Sequence, residues 1–191
     1  SNCRSRASVA GERMIGGLIG HALNRSSVTG CSARSMVTGA DMVGGLIGQM
    51  LSGTVIGCHA SSRVTSQGSA GGLIGCGPYR GTILSCHTKT SVKGTVVGGL
   101  LGIAQQTDII HSQASAALIG LQVPSPSADR GPRVGALVGY WQSGIGTISS
   151  SCWDKALLDG TGAVGASATR VQVKLRNTQG VTKHQMKHSH R

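Results

Sequence analysis

A short glycine-rich segment recurs along this chain at almost constant spacing. It reads Met-Ile-Gly-Gly-Leu-Ile-Gly at 14–20 and returns, with small changes, at 42–48, 69–75, 97–102 and 134–139. The leucines of the first four copies are separated by 28, 27 and 27 residues. A fixed period of this length is typical of a repeat protein in which each unit packs against its neighbours. The period constrains the fold more than any other feature.

Cysteines repeat in the same register. Cys3, Cys31, Cys58 and Cys86 are 28, 27 and 28 residues apart, and a valine follows each one six positions later. One unit is therefore interpreted as a strand around the cysteine, a second strand ending at the valine, and a third strand at Gly-Gly-Leu-Ile-Gly.

Side chains in a strand alternate between the two faces of its sheet. Positions at even offsets from each cysteine are small or apolar and are predicted to face inward. Odd offsets are polar and are predicted to face outward. They include one column formed by Arg6, Arg34, Ser61 and Lys89.

Three short strands in about 27 residues cannot enclose a core, so each unit must bury its inner face against the next. Stacking coils about 4.8 Å apart satisfies both the backbone and the apolar positions. The sequence predicts an all-β fold, a parallel β-solenoid of about five coils over residues 1–169, with 170–191 as a basic C-terminal cap or tail. Glycines would occupy tight corners, where a Cβ would clash or φ must be positive.

The period loosens after residue 105. His111 falls near the cysteine position, and an irregular loop at 121–133 contains three of the four prolines, which remove ladder donors. Trp141 and Trp153 would cover the end of the core, or alternatively offer an aromatic platform to a glycan. A closing strand at 171–175 and a short helix from Thr182 to Lys187 are predicted beyond them.

The formal net charge is +12, from 18 Lys and Arg against 6 Asp and Glu. This balance favours anionic partners: an acidic glycan, an anionic surface or, less favoured, nucleic acid. No stretch approaches the length of a transmembrane helix. The N-terminus resembles the middle of a repeat rather than a signal peptide, so a longer parent chain is expected.

Few residues suggest chemistry. Stacked cysteines would lie within disulfide range, but an inward ladder favours reduced, buried thiols, with Cys76 as the most accessible one. His59 and His87 share an outward column without a third ligand, so no metal site or cofactor is predicted. No nucleophile elbow or phosphate loop is present, and the few carboxylates outside the repeats give no acid–base pair. No enzyme activity is expected.

The Gly-Gly-Leu-Ile-Gly segments, the cysteine strand that precedes each one and the closing Ser-Cys-Trp-Asp at 151–154 resemble the GLUG repeats of bacterial surface and secreted proteins. Adhesins of the filamentous-haemagglutinin type carry such repeats. The segment at 180–186 is similar to one that often follows the last repeat. The resemblance implies an extracellular or cell-surface β-solenoid and carries no catalytic residues with it.

These observations favour a non-enzymatic surface or secreted module that binds a glycan or a protein. The candidate binding residues are Arg6, Arg34, Lys89, Arg130, Arg133 and Trp141. Two alternatives remain open. The solenoid could be a component of a larger fibre or phage-like assembly that docks or self-assembles through 170–191, or it could cleave a polysaccharide.

Overall fold

A computed structural model describes residues 1–122, 131–154, 161–167 and 172–182. The described residues form an all-β chain without helix, and every strand pairing among them is parallel. This confirms the predicted parallel β-solenoid with a spacing of about 27 residues, although it has about six turns rather than about five. Within the described residues no helix is long and apolar enough to span a membrane.

The strands are short and follow one another around each coil. The first ten are β1 Arg4–Ser5, β2 Ser8–Ala10, β3 Arg13–Gly16, β4 Ile19–Ala22, β5 Ser26–Thr29, β6 Ser32–Ala33, β7 Met36–Gly39, β8 Asp41–Gly44, β9 Ile47–Met50 and β10 Gly53–Ile56. The next eight are β11 His59–Ala60, β12 Arg63–Ser66, β13 Ser69–Gly71, β14 Ile74–Leu84, β15 His87–Gly94, β16 Val96–Gly98, β17 Leu101–Ile110 and β18 Gln113–Gly120. The last seven are β19 Arg133–Gly135, β20 Val138–Ser143, β21 Ile145–Ser149, β22 Cys152–Asp154, β23 Val164–Ser167, β24 Gln172–Arg176 and β25 Gln179–Val181.

Stacking of successive coils produces three sheets. Sheet A contains β1, β2, β6, β7, β11, β12, β15, β18, β22 and β25. Sheet B contains β3, β8, β13, β16 and β19. Sheet C contains β4, β5, β9, β10, β14, β17, β20, β21, β23 and β24.

The cysteine of each repeat lies at the corner where sheet C turns into sheet A, not inside a strand as predicted. Its thiol donates to the carbonyl two residues earlier, as from Cys58 to Ile56 at 3.4 Å. In the later coils a hydroxyl makes the same hydrogen bond, as when Ser112 Oγ donates to the Ile110 carbonyl oxygen at 2.9 Å. The full column is Cys3, Cys31, Cys58, Cys86, Ser112, Ser151 and Thr178. The sequence placed His111 near this position, and the structure places Ser112 there.

The Gly-Gly-Leu segment is a corner, as predicted for its glycines, and not the third strand that the repeat pattern suggested. In the second repeat one strand ends at Gly44 and the next begins at Ile47, so the chain turns from sheet B into sheet C between them. A Cβ on Gly44 would lie 1.8 Å from the Ile47 carbonyl oxygen, and one on Gly45 would lie 2.1 Å from that of Gly72. Close backbone approach therefore requires these glycines, since the positive-φ glycines of the described chain lie elsewhere.

The interior is divided into two apolar clusters. The larger one fills the space between sheets C and A and includes Leu46, Ile74 and Trp141. The smaller one consists of Val37, Val43, Val64, Ala70, Val92 and Val97 between sheets A and B. Buried hydroxyls and the glycine corners lie between them, and Ser62 Oγ donates to the Gly45 carbonyl oxygen at 3.3 Å.

The fifth coil is longer than the others. Ser112 and Ser151 occupy equivalent corners and are 39 residues apart, against 26 for Cys86 and Ser112. The extra residues follow Gly120, where β18 of sheet A ends, and precede β19 of sheet B. They coincide with the proline-rich stretch, of which 123–130 lie outside the described residues, as does the predicted helix beyond Thr182. The predicted closing strand is present as β24.

Cys76 is not the accessible thiol that the sequence suggested. It is 4% exposed, whereas Cys3 is the exposed cysteine. Burial raises the pKa of the Cys76 thiol to about 11, and the charge of Asp41 adds to the effect. Its place just beyond a Gly-Gly-Leu-Ile-Gly segment does not expose it, because Cys76 lies in β14 between β9 and β17 of sheet C.

Candidate anion-binding face

Sheet A has an apolar inner side and a basic outer side. Ala33 and Ser35 are buried, while Arg34 between them is exposed. This alternation is the one predicted from the offsets to each cysteine. The outer side of sheet A is therefore the surface on which the charge of the repeats can meet a partner.

The predicted Arg/Lys column exists. Arg4 pairs with Ser32, and the Arg34 amide donates to the Ser5 carbonyl at 2.9 Å, which places Arg34 directly beside Arg6. In the next coils Ser61 and Lys89 continue the column, because His59 pairs with Ser32 on one side and with His87 on the other. Adjacent members are about 4.8 Å apart along the solenoid axis.

Three further cations share this surface and were missed by the column interpretation. Arg4 lies beside the column in the first coil, and Arg63 and Lys93 lie in the third and fourth coils. Arg4 is at an odd offset from its cysteine and is already predicted to face outward, and the same alternation, followed past the column, places Arg63 and Lys93 outward as well. We call the six exposed side chains the basic face: Arg4, Arg6, Arg34, Arg63, Lys89 and Lys93.

Carboxylates do not offset this charge within the described chain. Sheet A carries one acidic residue there, Asp154, and it is fully buried. Glu12 lies outside the strands of this sheet. Asp41 belongs to sheet B, where its Oδ1 accepts from the amide and hydroxyl of Ser69 at 2.9 and 2.8 Å. The basic face is thus a surface of one sign across four coils.

Shallow clefts connect the arginines. One of about 500 Å³ is lined by Arg4, Arg6 and Arg34 together with Ser32 and His59. An adjoining cleft of about 570 Å³ shares Arg6 and Arg34 and adds Arg63. Guanidinium groups bind carboxylates and sulfate-like anions through paired N–H donors, and the serine hydroxyl can add a further hydrogen bond.

The pKa of His59 reflects both its burial and the positive charge of the cleft. Burial lowers the pKa of His59 from its usual value near 6.5, and the positive charge of Arg34 lowers it further, against a backbone hydrogen bond to His87 that raises it. A neutral imidazole at neutral pH leaves the arginines as the charge that an anion would meet.

The other predicted binding residues lie elsewhere. Arg133 belongs to sheet B and stacks on the ring of Tyr140, with 3.9 Å from its guanidinium carbon to the ring centroid. Trp141 has no exposed surface, so the interpretation as an aromatic platform is wrong and its bulk fills the core. Arg130 lies outside the described residues. Sequence position cannot separate an inward from an outward tryptophan once the repeat becomes irregular.

The described residues contain no group of three or more His, Cys, Asp or Glu side chains arranged to hold a metal ion. Asp154, in the closing motif, is buried with its Oδ2 3.5 Å from Ser115 Oγ. Asp108 is exposed, and its Oδ1 accepts the Thr147 amide at 3.0 Å. Both carboxylates have contacts that hold the coils together.

Comparison with known proteins gave one family match. The model of the GLUG motif matches residues 11–38, from the end of the first sheet A segment, through the glycine corner and the Cys31 corner, to the second sheet A segment. It therefore covers about one coil of the solenoid. The searches of curated proteins and of solved structures gave no match.

Proposed function

Taking the chain as a GLUG-repeat β-solenoid, we propose that it is a non-enzymatic structural module of a surface or secreted protein and that its basic face binds acidic glycan chains. The observation that carries this proposal is the set of six exposed cations across four coils of sheet A, without an exposed carboxylate among the described residues of that sheet.

The repeat geometry suits a polymeric anion better than a small ligand. Each of the first four coils adds at least one cation, at a fixed step of about 4.8 Å along the axis. From Arg34 through Arg63 to Lys93, each successive coil places its cation two residues further along the strand, so the charges form a diagonal line. An extended chain with regularly spaced carboxylates or sulfates can contact several of them at once, and each contact increases the effective concentration for the next.

Individual contacts of this kind are weak. An exposed ion pair contributes about 0.2–1 kcal/mol and is screened by salt. Useful affinity therefore requires several pairs on one ligand, which a monosaccharide cannot supply. Adhesion to a glycan-coated surface, where many chains are present, fits a binding site built in this way.

Binding of heparin and polygalacturonate, measured by biolayer interferometry, tests the proposal. The triple variant Arg34→Ala, Arg63→Ala, Lys89→Ala removes cations from three successive coils of the basic face. A matched control, Arg13→Ala, Lys174→Ala, Arg176→Ala, removes the same charge from exposed positions on sheets B and C. We expect roughly tenfold weaker binding for the first variant and much less change for the second.

Equal losses in the two variants would show that net charge alone attracts the polymer and would contradict the proposed face. Because all six replaced side chains are exposed, the thermal unfolding temperature of both variants should stay near that of the parent protein.

A further inference from the structure

A third cleft lies on sheet C, away from the basic face. Its volume is about 470 Å³, and it lies where β5, β10 and β14 begin or bend. The side chains that line it are two arginines, one tyrosine and three hydroxyl residues: Arg25, Arg80, Tyr79, Ser52, Thr54 and Thr82. This combination differs from the purely cationic surface of sheet A because it includes an exposed aromatic ring.

The tyrosine is exposed because of an irregularity in β14. The pairing of β14 with β17 shifts between Cys76 and Tyr79, where an extra residue bulges out of the ladder. Tyr79 is 46% exposed as a result. Bulges commonly reorient a side chain beside a binding site, and this one presents a large apolar ring to solvent next to a charged group.

Arg80 is held in position by two neighbours. Its guanidinium carbon lies 5.6 Å from the centroid of the Tyr79 ring, and its Nε donates to Gln106 Oε1 at 3.3 Å. The backbone of Arg80 adopts φ 56°, a left-handed conformation that is uncommon for a residue with a Cβ. Within the described part of the chain its terminal N–H groups have no hydrogen-bond partner, so they can donate to a ligand.

Arg25 lies two coils away at the equivalent corner. Arg25 and Arg80 precede Ser26 and Gly81, both of which pair with Gly53, and Arg25 also has a left-handed backbone, with φ 50°. The two Cα atoms are therefore separated by two coil steps, about 10 Å. Arginine side chains are long enough that the guanidinium groups of Arg25 and Arg80 can both reach an anion placed between them.

The geometry points to this cleft as a binding site for a single sugar residue that carries a carboxylate. The carboxylate would accept from Arg25 and Arg80, the C–H face of the sugar ring would pack on Tyr79, and the sugar hydroxyls would bond to Thr54 and Thr82. Neither a bare anion nor a neutral sugar would use both the arginines and the ring.

The carboxylate of Asp108 determines how the sugar would be oriented in the cleft. Thr82 pairs with Asp108, whose side chain accepts from the Thr147 amide on the far side of the cleft. A ligand carboxylate near Asp108 would be repelled, whereas one near Arg25 would be attracted. The acid group of the sugar therefore lies toward the first coils and its hydroxyls toward Thr82.

The site does not depend on the proposed role of sheet A, since the two surfaces share no residue. Saturation-transfer NMR on the whole chain with D-glucuronate and D-glucose, and with inorganic sulfate as a competitor of D-glucuronate, tests it separately. Tyr79→Ala removes the ring, Arg80→Gln removes the charge, and Arg176→Gln is a control that removes an exposed cation elsewhere on sheet C.

We expect glucuronate to bind and glucose to bind far more weakly. Arg80→Gln should weaken glucuronate binding roughly tenfold or more, because it removes a charge-assisted hydrogen bond. Tyr79→Ala should abolish transfer to the sugar C–H protons, and Arg176→Gln should change neither. The absence of glucuronate binding, equal binding of glucose, or displacement of glucuronate by an equimolar concentration of sulfate would each overturn the site. Circular dichroism checks that each variant keeps its β fold.

Discussion

The backbone amide of Cys31 donates to Sγ of Cys58, one coil further along the solenoid, at 3.4 Å. The Cys58 thiol in turn donates to a carbonyl of its own coil. Ser112 and Ser151 make the same pair of contacts later in the chain. The repeated cysteine is therefore a hydrogen-bonding corner residue. Serine takes its place in later coils and makes the same hydrogen bonds.

Replacement of Cys58 tests this role. Cys58→Ser should leave the free energy of unfolding nearly unchanged, because a hydroxyl performs the same bonding at Ser112. Cys58→Ala should lower it by about 1–3 kcal/mol, since the buried Cys31 amide loses its acceptor. Urea denaturation followed by circular dichroism measures both. Equal destabilisation by the two variants would indicate that the thiol acts through packing alone.

The glycine corners should be intolerant of a single methyl group. Gly44→Ala places a Cβ 1.8 Å from a backbone oxygen, a clash that no side-chain rotation can relieve. We expect loss of several kcal/mol of stability or failure to fold. Gly131→Ala is the matched control, because a Cβ there meets no atom within 4 Å. Soluble yield and thermal unfolding compare the two, and a stable Gly44→Ala protein would contradict the corner geometry.

His59 should titrate below pH 6.5, because burial and the nearby charge of Arg34 both lower its pKa. The histidine C–H resonances in a proton NMR titration give the midpoint. Arg34→Gln should move that midpoint upward, while Arg176→Gln should not. A midpoint that Arg34→Gln leaves unchanged would mean that the Arg34 charge does not act on this part of the basic face.

The lowered pKa of His59 also predicts how the free energy of unfolding depends on pH. The unfolded chain binds a proton at His59 more readily than the folded chain does. The stability that His59 contributes is therefore present above pH 6.5 and is lost as the pH falls from there through its lowered folded-state pKa. His59→Gln should weaken the pH dependence of the unfolding free energy in that window.

Periodicity was sufficient to predict the stacked parallel architecture and the outward Arg6–Arg34–Lys89 column, because a constant register fixes which residues lie side by side. It did not distinguish strands from corners. Tight corners are expected at glycines such as Gly44, but the segment around Gly44 and the position of Cys58 are both interpreted as strands, because the alternation of side chains is similar on the two sides of a turn. That distinction depends on close backbone contacts, which only the folded chain has.

The irregular parts were predicted least well. Trp141 is buried, which excludes the alternative of an aromatic platform, and Cys76 is inaccessible, although it is predicted to be the most accessible thiol. The Tyr79 cleft also depends on a one-residue bulge, and a single insertion gives no pattern from which its direction could be inferred. Long-range packing determines the outcome at such positions.

The salt dependence of heparin affinity tests the central claim most directly, because the basic face is proposed to act as one multivalent site. Parent protein and the Arg34→Ala, Arg63→Ala, Lys89→Ala variant are compared over a range of sodium chloride concentrations. We predict a steep loss of affinity with salt for the parent and a clearly shallower one for the variant, since fewer ion pairs remain to be screened. Equal slopes for the two proteins would contradict the account.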